Sequence, residues 1–180
     1  EQGNETHTDT EFSAWENKNG DRYKFYVKNK FSETKSKIEG VANYSLKTKS
    51  GAAFFQTPKK IKYNLPGNTM FPSNHTFFLL DAAKAQKKLL VAPVFDGSEI
   101  QSAISVSAVI GKQKVLANPQ HTLLSGNYWP IRMAFFSPGH GSTRPTHEMT
   151  INLHENGIAS DLVLDYADFA VKMKLMKVEK

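Results

Sequence analysis

The chain has 180 residues, of which 39% are hydrophobic, with 12 Phe, 6 Tyr and 2 Trp, a length and composition that predict one domain rich in β-structure. It contains no cysteine, which excludes internal disulfides, thiolate metal sites and cysteine nucleophiles. Its net charge of +6 comes mainly from dispersed lysines, which argues against a nucleic-acid partner, although weak attraction to anionic membrane surfaces stays open.

Residues 22–30 show the alternation of a strand, with Tyr23, Phe25 and Val27 on one side. The preceding Asn19-Gly20 predicts a hairpin turn that joins this strand to a strand over residues 11–15. Turn residues separate three further short segments with strand-like composition. These predicted strands cover residues 37–46, 52–56 and 59–64.

Residues 73–87 have helical spacing of apolar residues and lysines gathered at the end. Ser73 is the predicted N-cap of this helix, and the lysines complement the helix dipole. No stretch approaches the ~18 to 20 apolar residues of a membrane helix, so no transmembrane segment is predicted.

Strand patterns return after the helix, and Asn156-Gly157 predicts a second hairpin turn. Trp129 to Phe136 is apolar on nearly both sides, which predicts a strand covered on both faces. Residues 137–146, rich in Pro, Gly and Ser, predict a mobile loop. The predicted strands are 89–95, 103–110, 114–117, 129–136, 148–154, 158–166 and 169–175.

Catalytic and phosphate-binding motifs are absent from the sequence, including the nucleophile elbow, the Walker loop and the zincin helix. Gly139-His140-Gly141-Ser142 resembles a glycine-rich loop but lacks the following lysine and helix, so a hairpin tip is expected. His147 and His154 fall in one predicted strand at an odd separation, which places them on opposite faces. We therefore predict no metal site, no cofactor and no catalytic residues.

The carboxylates of Asp161 and Asp165 would lie ~13 Å apart on one face of a regular strand, too far for a glycosidase pair. An ion pair with Arg132, or a turn-capping role, is the expected role of these aspartates.

Trp15, Trp129 and Phe135 could line a ligand-binding concavity or fill a core, and we favour the core.

Several short segments occur in a specific order and spacing over nearly the whole chain. They are Trp15-Glu16-Asn17-Lys18-Asn19-Gly20, Leu65-Pro66, Phe71-Pro72 with His75-Thr76, Phe95-Asp96-Gly97-Ser98, Val109-Ile110-Gly111, Trp129 to Phe136, and Glu155-Asn156-Gly157 through Asp165-Tyr166. Together these segments resemble the EipB-like family of alphaproteobacterial envelope proteins.

The resemblance implies a mainly β fold, a strongly curved antiparallel sheet forming a β-spiral or incomplete barrel with one α-helix, similar to lipoprotein carriers. It also implies a periplasmic location and a role in cell-envelope integrity without enzymatic activity. Family members carry further N-terminal strands and a cysteine pair that this chain lacks. We therefore expect a single β-spiral domain over residues 1–180. Either it lacks the N-terminal strands of the full-length protein, or this family member has lost the disulfide.

The leading functional hypothesis is a binding protein whose concave β surface takes a lipid, a lipoprotein or an envelope protein partner. The alternative is an envelope hydrolase that uses Asp165 or His75. The predicted binding residues are Trp15, Phe71, His75, Trp129, Arg132, Phe135 and Asp165.

Overall fold

The structure is a computed structural model that describes residues 8–31, 34–117, 122–137, 144–166 and 170–173. Strands dominate the described residues, with one α-helix, α1 (Pro72–Lys84), and one 3-10 turn, Thr122–Leu124. The strands are β1 (Thr8–Glu16), β2 (Arg22–Phe31), β3 (Thr34–Ser45), β4 (Ser50–Thr57), β5 (Ile61–Leu65), β6 (Leu89–Val94), β7 (Ile104–Ile110), β8 (Lys114–Leu116), β9 (Gly126–Phe136), β10 (His147–His154), β11 (Ala159–Asp165) and β12 (Ala170–Met173).

These strands form two antiparallel sheets, which confirms the mainly β prediction with one α-helix in the described part of the chain. The first sheet is a meander in the order β1-β2-β3-β4-β5. The second has the order β12-β11-β10-β9-β7-β6, and β8 pairs with the same strand, β9, as β7 does. The strong curvature implied by the family resemblance stays a prediction.

The chain divides into two compact units. Unit 1 comprises Glu1–Ser73 and Pro93–Ala103, and unit 2 comprises Asn74–Ala92 and Ile104–Lys180. The prediction that residues 1–180 form a single domain stays a prediction.

An aromatic cluster forms the core of unit 1. Phe25 lies at its centre and contacts the rings of Phe55 and Phe95 edge-on at 5.2 and 5.5 Å between centroids. Phe71 stacks on Tyr23 at 5.1 Å. The Tyr23 hydroxyl donates a hydrogen bond to the carbonyl of Asp96, and burial raises the pKa of this phenol. Alternation in β2 places Tyr23 and Phe25 on the buried face, as the sequence predicts.

Strand β9 forms the middle of unit 2, with β10 on one side and β7 and β8 on the other. Its buried face carries Trp129, Ile131, Met133 and Phe135. On the opposite face Arg132 is exposed. The prediction that this strand is covered on both faces holds only in part, because Tyr128, Pro130, Ala134 and Phe136 on the second face are partly buried while Arg132 is exposed.

Helix α1 differs from its prediction at both ends. It begins at Pro72, a residue favoured at the first helical position, so Ser73 lies inside the first turn and is not the cap. The Ser73 N–H donates instead to the carboxylate of Glu16 at 2.8 Å. The helix ends at Lys84 because Gln86 adopts a left-handed conformation (φ 57°) and the Lys87 N–H donates to the Ala82 carbonyl.

Strand β11 contains a bulge opposite β10. The register changes between Thr150, which pairs with Val163, and Asn152, which pairs with Ser160. Asp161 lies in the bulge with a φ of 50°. Asp161 and Asp165 are therefore not spaced as in a regular strand. The predicted separation of ~13 Å assumed regular strand geometry, which the bulge interrupts.

Candidate functional site

The seven predicted binding residues are divided between the two units. Trp15 and Phe71 belong to unit 1, and the other five belong to unit 2. Trp15 lies on β1 with 57% of its surface exposed, whereas Phe71 is buried in the aromatic core. Phe71 is therefore a packing residue, and the expected packing role of Trp15 is wrong for the described structure.

His75 is a buried residue of α1. Burial lowers the pKa of its imidazole to about 4, so the ring is neutral at physiological pH. Desolvation is the cause of this shift. A neutral buried imidazole suits packing, and the structure provides no acid or base partner for it among the described residues.

Trp129 and Phe135 point to the same buried face of β9, as their even separation predicts. The ring of Phe135 stacks on His147, which faces it from β10, with centroids 4.4 Å apart. His154, by contrast, stacks on Tyr128 on the other face of the same pair of strands. The two histidines of β10 therefore point in opposite directions, as their odd separation predicts.

Arg132 pairs with Glu148, and not with an aspartate as expected from the sequence. Its Nε donates to the Glu148 carboxylate at 2.9 Å, and Nη2 donates to the same oxygen. Glu148 lies opposite both Ala134 of β9 and Asp165 of β11. The exposed guanidinium makes this a surface ion pair, which contributes little to stability.

A groove in unit 2 is a candidate binding site because buried apolar side chains and several lysines line it together. Its volume is about 480 Å³, and it lies between the end of α1, the end of β7 and the turn that leads to β8. Buried Trp129 and Ile110 form part of its lining, together with half-exposed Val109. We call it the lysine groove, because its wall carries the lysines Lys84, Lys87, Lys88 and Lys112.

The end of α1 explains why three of these lysines meet. The left-handed residue Gln86 stops the helix, so the chain turns at Lys87 and Lys88 and enters β6. The Lys88 carbonyl accepts a hydrogen bond from Ile110 N–H at 3.0 Å, which fixes the turn against the end of β7. The described lining contains no aspartate or glutamate, so the groove is strongly basic.

Gly111 closes the opposite side of the groove. Its N–H donates to the Pro130 carbonyl at 2.8 Å, and a Cβ atom at this position would lie 2.8 Å from the Pro130 ring. Lys112 and Gln113, which follow Gly111, line the groove together with Trp129, the neighbour of Pro130 in β9. A glycine is needed here because any side chain would push the turn away from β9.

A second polar cluster lies in the hairpin of β10 and β11. His154, which is 1% exposed, approaches the Ser160 hydroxyl with Nε2 at 2.9 Å, and that hydroxyl lies 3.1 Å from the Asp161 carboxylate. The Asn152 amide donates to the same carboxylate oxygen at 3.2 Å. The residues of this cluster do not line the lysine groove, and the prediction that the chain has no catalytic residues stays a prediction.

The cluster has the residue types of a catalytic triad but a different order of contacts. The Ser160 hydroxyl has one hydrogen, and donating it to Asp161 requires His154 Nε2 to carry a proton. The other imidazole nitrogen, Nδ1, is buried without a described hydrogen-bond partner, whereas a triad aspartate would orient it. Burial lowers the pKa of His154, and Asp161 partly opposes that shift. The arrangement suits a structural contact.

Sequence reasoning missed both features for the same reason, because each is assembled from separate segments. The lysines are dispersed along the sequence, and the left-handed residue Gln86 ends the helix where Lys84, Lys87 and Lys88 line the groove with Lys112. Ser160 is brought opposite Asn152 by the bulge at Asp161. The sequence has no glycine at this point to indicate a bulge, so local patterns do not predict the cluster. His7, His121 and His140 lie outside the described residues.

Metal-binding clusters are not present among the described residues, where no group of three or more His, Cys, Asp or Glu side chains converges. No helix of the described chain has the length and apolar character needed to cross a membrane.

The chain resembles known proteins in both sequence and structure. It is 27% identical over 179 residues to the cell envelope integrity protein EipB of Brucella abortus (strain 2308), a match that covers 96% of this chain and 63% of that protein. The chain thus spans less than two thirds of the length of this curated relative. A crystal structure of a β-barrel-like protein of unknown function from Brucella abortus matches with a TM-score of 0.81 and 26% identity, covering 94% of this chain and 72% of that one.

The family model for EipB-like proteins matches residues 1–180, the same family that the sequence motifs indicate. The chain belongs to the EipB-like family.

Proposed function

We propose that the chain is a non-enzymatic periplasmic protein that supports cell-envelope integrity by binding a lipid, a lipoprotein or an envelope protein. The likeness to a cell envelope integrity protein supports the role and the compartment. The observation that carries the binding proposal is the lysine groove, because it combines an apolar lining with a basic wall.

The dimensions of the groove support this proposal. Its volume of about 480 Å³ falls within the roughly 300 to 1,000 Å³ typical of small-molecule sites. Trp129, which is 7% exposed, supplies part of the apolar lining, and the lysines supply charged polar groups. A site with these two parts binds amphipathic ligands, whose apolar and polar ends require different surroundings.

A hydrolase is the second candidate, and the contact between His154 and Ser160 is the observation that favours it. The contacts of the cluster oppose it, because Asp161 accepts from the serine and does not orient the imidazole. Both side chains are also buried, so a substrate would need the hairpin to open. For these reasons we prefer the binding function.

The proposed function is tested by recovering the protein from the periplasm of its own organism and analysing it by native mass spectrometry. We expect a bound lipid, or a lipoprotein or envelope protein that remains associated. A strain that lacks the protein should show increased sensitivity to detergents, and the wild-type gene should restore resistance. A protein without a bound molecule, together with a strain of normal detergent resistance, would contradict the proposal.

The Ser160→Ala variant distinguishes the two candidate functions. A binding protein should restore detergent resistance with this variant as well as with the wild type, because loss of a hydroxyl leaves the lysine groove unchanged. A hydrolase should lose its function. The Asn152→Ala variant serves as a control, because it removes a neighbouring hydrogen bond to Asp161 without removing the serine.

A further inference from the structure

We infer that the lysine groove binds a phospholipid with an anionic headgroup, with the phosphate against the lysines and the start of an acyl chain against Trp129. This inference rests on the proposed binding function and names the class of its ligand. It uses only residues of unit 2.

The charge of the groove indicates an anion. Four lysines line a volume of about 480 Å³, and no carboxylate is present in the described lining to neutralise them. Like charges held close together repel one another, and an anion between them removes that repulsion. Lysine also suits a phosphate because its ammonium group is a compact point charge with three donors.

The apolar part of the groove indicates a chain attached to that anion. Trp129 and Ile110 are each 7% exposed and provide a closed apolar surface, whereas Val109 is 53% exposed at the edge of the groove. The neighbouring strand β6 adds exposed Leu89 and Val91 outside the groove. Leu89 directly follows the groove residue Lys88 in the chain, so exposed apolar side chains lie near the lysines, and a free phosphate would leave them in contact with water.

Other ligands fit these features less well. A nucleic-acid ligand would favour arginine forks and several stacking rings, and the groove offers lysines and one tryptophan. A peptide would favour the unpaired backbone of an edge strand, and the groove is lined chiefly by side chains near a helix end.

The two tryptophans make a direct binding experiment feasible. Replacing exposed Trp15 by Phe leaves Trp129 as the only tryptophan of the chain, so its fluorescence reports on the groove. The probes are dihexanoyl-phosphatidylglycerol and dihexanoyl-phosphatidylcholine, both below their micelle concentrations, and inorganic phosphate. We expect saturable spectral change with phosphatidylglycerol, at least tenfold weaker binding of phosphatidylcholine, and no such change with phosphate.

A lysine variant tests the contribution of charge. In the Trp15→Phe background, Lys87→Gln with Lys112→Gln should weaken phosphatidylglycerol binding by a factor of about 25, because each lysine near an anionic lipid contributes about a factor of five. Lys59→Gln with Lys60→Gln makes the same charge change at exposed positions of unit 1 and should leave binding unchanged. Circular dichroism checks that each variant is folded.

Three results would overturn the inference: equal binding of the two lipids, equal binding of inorganic phosphate, or equal weakening by both lysine pairs. If phosphatidylglycerol does not bind while the periplasmic protein carries a lipoprotein or protein partner, the inference fails and the proposed function stands. If the periplasmic protein carries nothing and the strain that lacks it is normal, the proposed function fails.

Discussion

Phe135 and His147 face each other across β9 and β10 with their rings nearly parallel, 12° between planes and 4.4 Å between centroids. Tyr166, which follows β11, also stacks on His147, with centroids 5.3 Å apart. The imidazole therefore joins three neighbouring strand segments of unit 2 through ring contacts. This arrangement explains why His147 at the start of β10 contributes to side-chain packing although it is only partly buried.

Replacing His147 tests that packing role. His147→Ala should lower the free energy of unfolding by about 1 to 2 kcal/mol, because two aromatic contacts are lost. His147→Phe keeps a flat ring and should restore most of the loss. Urea unfolding measured by circular dichroism gives both values. An alanine variant as stable as the wild type would show that the stack contributes nothing.

The strands were predictable from sequence because their side chains alternate between a buried and an exposed face. In β2, for example, Tyr23 and Phe25 are buried while Lys24 and Lys28 are exposed. The hairpin turns were predictable because Gly20 and Gly157 adopt positive φ angles, 67° and 85°.

The end of the helix was not predictable in the same way. Gln86 occupies a left-handed position that glycine usually takes, so the sequence gives no stop signal before Lys87 and Lys88. The lysine groove depends on that stop and on Lys112, which is distant in sequence. The candidate site could therefore not be predicted from local patterns, although Trp129 was recognised as a candidate for ligand lining.

Gly97 provides a second test, in the aromatic core of unit 1. It has a φ of 73°, and a Cβ atom here would overlap the ring of Phe25. Gly97→Ala should therefore lower the free energy of unfolding by roughly 3 kcal/mol or more, through backbone strain and overpacking. Gly67→Ala is the matched control, because a Cβ atom there meets only the Lys49 carbonyl at 3.7 Å. Equal stability of the two variants in urea would contradict the predicted overlap.

Stability should depend on pH through His75. Burial lowers the pKa of this imidazole from 6.5 to about 4, so the unfolded chain binds a proton at a higher pH than the folded chain. Protonation then favours the unfolded state as the pH falls. The contribution of the neutral ring is fully present above pH 6.5 and is lost progressively down to about pH 4, by roughly 3 kcal/mol in total.

The variant His75→Gln isolates this effect from the titration of carboxylates, which both proteins share. The difference in unfolding free energy between wild type and variant should shrink by about 2 to 3 kcal/mol between pH 7 and pH 4.5. Urea unfolding at the two pH values measures it. A difference that stays constant would show that His75 titrates normally in the folded protein.

Trp129 is predicted to be a packing residue first, whatever else the lysine groove binds. Its side chain is 7% exposed and lies opposite Leu153, which is fully buried on β10. Trp129→Ala should cost about 3 to 5 kcal/mol of stability, since it removes a large core side chain. Trp15→Ala is the control, because a residue that is 57% exposed should change stability by no more than about 0.5 kcal/mol. Thermal unfolding of both variants separates the two environments, and a Trp129→Ala variant with the wild-type melting temperature would leave ligand lining as the only role for this side chain.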